Sequence, residues 1–311
     1  MRTLICGSVA YDTIMVFEGR FKDHILPNQV HILNVSFLVP EMRREFGGCA
    51  GNIAYSLNLL GGDALMMACV GSDARPYLDR LTRLGISTTH IRVVDEAFTA
   101  QAFITTDLDD NQITAFHPGA MSYAPSNHVA SAADVGLGII APDSRDGLVQ
   151  HAREFAEAGV PFIFDPGQGL PMFDGDELLR FIELADYLTV NEYEAKLLVD
   201  RTGRSFEALA QSVKALIVTH GGLGSTIHAE GKSHEIPCVN PDRLADPTGC
   251  GDAYRGGLLY GIAEGMDWET TGRLASTMGA LKIAQLGPQN YEPSRAKIAE
   301  VFHEAFSYRP W

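Results

Sequence analysis

Positive charge is what this chain has little of. Twenty-four lysines and arginines stand against 39 aspartates and glutamates, a net charge of -15 over 311 residues. A protein that grips nucleic acid by its phosphates needs a basic footprint, so no nucleic-acid partner is expected. Small phosphorylated ligands are not excluded, because backbone dipoles hold those locally. No run approaches the roughly 18 apolar residues of a membrane span, so no membrane partner is expected either. The opening "MRTLICGSVAYDTIM" lacks the charged, apolar and small-residue sections of a signal peptide. Cysteines are few: Cys6, Cys49, Cys69, Cys238 and Cys250 are scattered, odd in number and without metal-ligand spacing. That pattern predicts reduced thiols and a cytoplasmic setting rather than a disulfide framework. Internal repeats, low-complexity tracts and linkers are also missing.

What is present is ordinary for a globular protein, with 46% hydrophobic and 20% charged residues. Short apolar runs ("TLICGSV", "ALMMACVG", "VGLGIIAP", "PFIFDPG", "YLTVNEYEA", "ALIVTHGG") alternate with helical patterns such as "CAGNIAYSLNLLGG", "RPYLDRLTRLG" and "GLVQHAREFAEAG". This βαβ rhythm predicts an α/β domain spanning 1–311, with a mostly parallel sheet covered by helices on both faces. Ligands of such folds gather at the C-terminal ends of the strands. Two stretches break the rhythm, 17–46 with extended character and 98–120 resembling two strands joined at "DDNQ". They predict a small appended β-sheet, discontinuous in sequence (about 13–46 and 95–121), which suits a lid over a cleft or a dimer interface.

The stretch "DPTGCGDAYRGG", 246–257, sets an acid behind a glycine-rich turn where a helical pattern begins. Such a turn brings backbone N–H groups together at a helix N-terminus. The amides of Gly249, Cys250 and Gly251 would then stabilise charge developing on a phosphoryl group. Asp252 would take the proton of the attacking hydroxyl. Taken alone, the same residues also read as a tight turn and a helix cap. The stretch is not the Walker phosphate loop, since Asp follows the last glycine, and it lies too late in the chain for a dinucleotide fingerprint.

"DPTGCGD" resembles the C-terminal signature of the ribokinase-like (PfkB) carbohydrate and nucleoside kinases. "FGGCAGNIAYSLNLLG" at 46–61 resembles their first signature, "NEYEA" at 191–195 their Asn-x-x-Glu motif, and "VTHGGLGS" at 218–225 their nucleotide-binding glycine element. The four occur in family order along the whole chain, departing from the pattern at Pro247 and Cys250. The resemblance implies a ribokinase-like three-layer sandwich with a small β-sheet lid. It implies Asp252 as base, the 249–251 amides as anion hole, and Asp12 and Asn52 on the sugar hydroxyls. Gly47 and Gly48 would form a lid hinge. Asn191 and Glu194 would orient Mg²⁺ through water, and Thr219, Gly221, Gly222 and Gly224 would lie against ATP. Each has a plain alternative: Asp12 a turn residue, Asn52 a cap, "NEYEAK" an exposed helix start, the 221–224 glycines a hairpin turn.

Two segments, 19–54 and 105–121, are similar to those of bacterial and archaeal nucleoside kinases of this family. That branch implies Gln29 near the sugar or base and Gln112 near the nucleotide. Phe103, Phe116 and Met121 would pack on a purine face, and Gln168 would touch ligand at a strand end. The expected activity is ATP-dependent phosphorylation of a nucleoside 5′-hydroxyl, adenosine or a broader purine range, by a homodimer joined through the lid. A ribose or fructose kinase and a catalytically silent ligand-binding regulator remain alternatives. A monovalent cation site near Asp246 is a further implication of the family, although "LGPQNY" (286–291) departs from the usual loop there.

Overall fold

The computed structural model describes residues 1–25, 35–109 and 111–311, so Gln29 lies outside the described residues. In chain order, the first third holds β1 (Arg2–Cys6), β2 (Ala10–Val16), the single-turn α1 (Phe21–His24), β3 (Glu41–Gly47), α2 (Cys49–Leu59), β4 (Asp63–Gly71), α3 (Arg75–Arg83), β5 (Ile91–Val94) and β6 (Ala100–Thr106). Then come β7 (Gln112–His117), β8 (Val135–Ile140), α4 (Arg145–Ala158), β9 (Phe162–Phe164), α5 (Gly175–Leu184), β10 (Tyr187–Asn191), α6 (Glu192–Thr202) and α7 (Phe206–Gln211). The last part holds β11 (Ala215–Thr219), β12 (Ser225–Ala229), β13 (Lys232–Ile236), α8 (Cys250–Ala263), α9 (Trp268–Ile283) and α10 (Arg295–Phe306).

Nine strands form the large sheet in the order β13-β12-β11-β10-β9-β8-β1-β4-β5. Strands β5 across to β11 run parallel, and only the β11–β12–β13 edge is antiparallel. The strands are continuous apolar runs because helices cover both faces. The pleat sorts neighbours: Ile5 enters one apolar cluster with α2, α8, α9 and α10, while Leu4 and Cys6 enter another with α4, α5, α6 and α7. Each fully buried Leu, Ile or Phe contributes about 1.5–3 kcal/mol, so these two clusters are the main source of stability.

A second sheet, in the order β3-β2-β6-β7, draws its strands from two separated stretches of chain. Here the sequence and the structure differ in one detail. The extended stretch expected from residue 17 supplies β3, but its partner β2 begins upstream, at Ala10, only four residues after β1 ends. The short turn at 7–9 hides the change of sheet. Strand β2 pairs with β3 antiparallel and with β6 parallel, which sets Asp12 opposite Glu45 and Ala102. This small sheet therefore projects from the edge where β1, β8, β9, β10 and β11 present their C-terminal ends.

Candidate active site

The first turn of α8 is built by a glycine that no other residue replaces cheaply. Gly249 has φ 80°, and a Cβ there would lie 2.7 Å from Cβ of Pro288. Cys250 donates its N–H to the Pro247 carbonyl at 3.1 Å, closing the turn. Of the three amides expected to form the anion hole, this one is thus already engaged. No bond of the Gly249 or Gly251 N–H is found among the described residues, and both sit at the positive end of the helix dipole.

Asp252 follows in the same turn, and its Oδ2 accepts from Asn52 Nδ2 at 2.8 Å. Burial pushes this carboxyl up to about 6, while the Asn52 amide and the Arg255 guanidinium pull it down and Asp165 pushes it up. A carboxylate with that value is ionised at neutral pH and basic enough to take a hydroxyl proton. Asn52 is not a cap: the α2 N-cap is Gly48, at φ 83°, and Asn52 projects from the first turn.

Behind Asn52 lies a residue that no sequence motif marks. Gln289, only 1% exposed, donates from Nε2 to Asn52 Oδ1 at 3.0 Å and to Tyr77 Oη at 2.6 Å. Tyr77 in turn donates to the carbonyl of Gly47 at 2.7 Å. A continuous chain of hydrogen bonds thus runs from the carboxylate of Asp252 to the backbone where the small sheet joins α2. Gln289 also fixes Asn52: with Oδ1 accepting from Gln289, the amide has only its NH₂ to turn toward Asp252.

Asp12 lies on β2, close enough to Asp252 for the two charges to interact. Burial pushes its carboxyl up to about 6, helped by the charges of Asp252, Glu45 and Asp246. Gly47 lets this carboxylate approach the backbone, since a Cβ at 47 would lie 2.4 Å from Asp12 Oδ2. Gly48 is equally constrained: its Cβ would sit 2.6 Å from the Ser8 carbonyl oxygen. Both glycines sit at the junction between β3 and α2.

Arg255, one helical turn after Asp252, is buried and pairs with Asp165 at the end of β9 through two bonds of 2.6 and 2.8 Å. Burial works against its charge, but the Asp165 carboxylate outweighs that and raises its pKa. Loss of either partner would leave an uncompensated buried charge, costing about 3–5 kcal/mol. Glu194 lies near this pair: burial raises its pKa, the Asn191 N–H lowers it, and Asp165 raises it. Asn191 and Glu194 form a reciprocal capping box at the start of α6, each bond 2.8 Å. They meet the plain helix-start reading and still leave Glu194 Oε1 without a bond among the described residues.

Asn191 and Thr219 are register partners at the ends of β10 and β11. Gly221, Gly222 and Gly224 form the turn that carries β11 into β12, with Gly221 and Gly224 at positive φ. The sheet register divides the aromatic candidates. Phe116 pairs with Ala102 and so shares a face with Asp12, whereas Phe103 pairs with Thr13 on the opposite face. Gln112 lies on the Asp12 face at the far, exposed end of β7. Met121 is half-buried in the 3-10 turn after β7, and Gln168 is exposed beside Asp165 in the turn after β9.

No group of three or more histidine, cysteine, aspartate or glutamate side chains converges to hold a metal among the described residues. No described helix is long and apolar enough to cross a membrane.

Known proteins resemble the chain over nearly its whole length. A nucleoside kinase of Burkholderia thailandensis in complex with inosine superposes with a TM-score of 0.91 at 61% identity, covering 99% of both chains. The same kinase in complex with ADP-inosine gives 0.89 at 63% identity, covering 99% of this chain and 97% of that one. A curated nucleoside kinase of Methanocaldococcus jannaschii is 32% identical over 273 residues, 86% of this chain and 88% of that protein. The model of the pfkB family carbohydrate kinases matches residues 9–295, and the chain belongs to that family.

Proposed function

We propose that this kinase transfers the γ-phosphoryl group of ATP to the 5′-hydroxyl of a nucleoside, with purine nucleosides preferred. The observation that carries the reading is Asp252, a carboxylate raised to about 6 and held by Asn52 at the amino end of a glycine-started helix. Relatives solved with inosine and with ADP-inosine support the acceptor and donor classes.

In this reading Asp12 accepts hydrogen bonds from the sugar hydroxyls and so orients the ribose. Asn52 keeps one amide hydrogen and one carbonyl lone pair for the same sugar beyond its bonds to Asp252 and Gln289. Asp252 takes the proton as the 5′-oxygen attacks phosphorus in line, a role worth about 10²–10⁴-fold. The free amides of Gly249 and Gly251 and the α8 dipole stabilise charge as it develops on the phosphoryl oxygens. The ion pair of Arg255 with Asp165 keeps that turn from shifting. MgATP is the donor; Glu194, through its free oxygen, and Asn191 would hold water of the ion, which supplies charge neutralisation on the phosphates. Thr219 and the 221–224 glycines line the donor side, and Phe116 and Met121 the base side.

The face of the small sheet opposite Asp12 exposes Met42, Phe103 and Ile113, at 68%, 40% and 44%. We assign this face to a homodimer contact. All five cysteines are free, which suits a cytoplasmic enzyme.

A coupled ADP-release assay with MgATP against adenosine, inosine, guanosine, cytidine, ribose and fructose tests the assignment. Nucleosides should exceed free sugars by orders of magnitude in kcat/KM, and Asp252→Asn should lose about 10²–10⁴-fold in kcat with inosine affinity kept by calorimetry. Turnover on sugars alone would replace the nucleoside with a carbohydrate, and an Asp252→Asn enzyme at full rate would remove the base.

A further inference from the structure

Lys282, in the last turn of α9, is 0% exposed. Its ammonium points beneath the glycine turn, donating to the carbonyl of Asp246 at 2.7 Å and to that of Gln285 at 3.2 Å. The oxygens around it are satisfied in the same way. The Ile283 carbonyl accepts from the Ala245 and Asp246 amides at 2.9 and 3.1 Å. Arg243 Nε donates to the Ala284 carbonyl at 2.6 Å. The Asp246 carboxylate accepts from the Thr248 and Gly287 amides at 2.9 and 2.8 Å.

This donor set does not fit a free monovalent cation. Such an ion needs a cage of carbonyl oxygens with lone pairs to spare, and here protein donors have engaged them. A positive charge nonetheless sits among them. Burial lowers the lysine pKa below its ordinary value; Asp246, Cys250 and Glu45 limit the fall and Arg43 adds to it. The carboxyl end of α9 adds the negative pole of a helix dipole. The carbonyl that Lys282 grips belongs to Asp246, where the 246–251 turn begins, and Cys250 Sγ approaches the same oxygen at 3.8 Å.

We infer that the Lys282 ammonium is a built-in monovalent cation: it positions the Gly249–Gly251 turn from below and makes phosphoryl transfer independent of added potassium. The inference rests on the anion-hole reading of that turn. Lys282 is a positioning residue, remote from the reacting atoms, and the loop 283–287 completes its pocket.

The test uses potassium, sodium and choline chlorides at equal ionic strength. Wild-type kcat for inosine should agree within about two-fold in all three salts, while Lys282→Ala in choline should lose about 10-fold or more and regain activity with potassium or methylammonium. Thermal melting without substrate gives a readout independent of turnover. Wild-type Tm should not distinguish potassium from choline, and Lys282→Ala should melt higher in potassium. A wild-type enzyme that loses activity or melts earlier in choline than in potassium would overturn the inference. So would a folded Lys282→Ala protein with full activity in choline. If Lys282→Ala does not fold, the wild-type salt series decides. If no nucleoside is phosphorylated, the proposed function fails, and the melting comparison still decides the cation.

Discussion

Replacing Asn52 with leucine removes the amide that donates to Asp252 at 2.8 Å while keeping the side chain's approximate volume. The carboxyl, now raised to about 6, loses the hydrogen bond that favours its ionised form. A hydrogen bond to a charged group is worth about 1.5–3 kcal/mol, and one unit of pKa corresponds to about 1.36 kcal/mol. The variant's carboxyl should therefore titrate about 1–2 units higher. With Asp252 as the proposed base, activity should fall as pH drops through the folded value. At pH 7 the ionised fraction would fall from about nine-tenths to between a half and a tenth, and most of it would return by pH 9. The assay is kcat/KM for inosine from pH 5 to 9.5, which reports groups of the free enzyme. Asp12, also raised to about 6, should steepen the wild-type acid limb toward a slope of two. An Asn52→Leu profile lowered uniformly, with its acid limb unmoved, would show that Asn52 serves binding alone and that the tuning argument is wrong.

Gly47→Ala should raise KM for the nucleoside by about 10-fold or more with little change in Tm, because the new Cβ meets the Asp12 carboxylate rather than backbone; an unchanged KM would remove Asp12 from the sugar. Gln289→Leu leaves Asn52 Oδ1 and the Tyr77 oxygen without the buried donor they accept from and should cost about 1–3 kcal/mol by denaturant unfolding, a result that an unchanged midpoint would contradict. Asp143 is buried and pushed up to about 7 by that burial, with the Ser144 amide opposing, and its Oδ2 has no partner. Its folded pKa exceeds the unfolded one, so it takes stability away as pH rises from about 4 to about 7, by an amount on the order of 2–4 kcal/mol. Asp143→Asn should flatten Tm against pH across that window and melt higher at pH 8; parallel curves would refute it.

Much of this was legible in the sequence because the signals are local. The alternation of apolar runs and helical patterns announces the parallel sheet, and Gly249–Asp252 announces an acid on a glycine-started helix. The Asn191/Glu194 motif carried two readings, and the capping box satisfies the plainer one without spending all of Glu194. What the sequence concealed depends on distance. Gln289 sits in a proline- and glycine-bearing loop with no periodicity, and both its side-chain partners lie more than 200 positions away. Lys282 reads as a solvated lysine near a helix end, the usual fate of that residue, until the loops that cover it are in place. Phe103 and Phe116 look alike in sequence, and only strand register assigns them to opposite faces.

The hydrogen-bond chain from Asp252 to Gly47 has a consequence for how the enzyme comes into being. Its links join positions separated by 200, 237 and 212 residues. While a growing chain is on the ribosome, Asp12 and Asn52 emerge first, then Asp252, and Gln289, which bonds Asn52, comes last. Until Gln289 is in place, Asn52 Oδ1 lacks the bond that turns its amide toward Asp252. In the proposed mechanism, chains that stop short of Gln289 therefore lack the contact that sets Asn52 against the base, and full turnover is expected only once this last loop is in place.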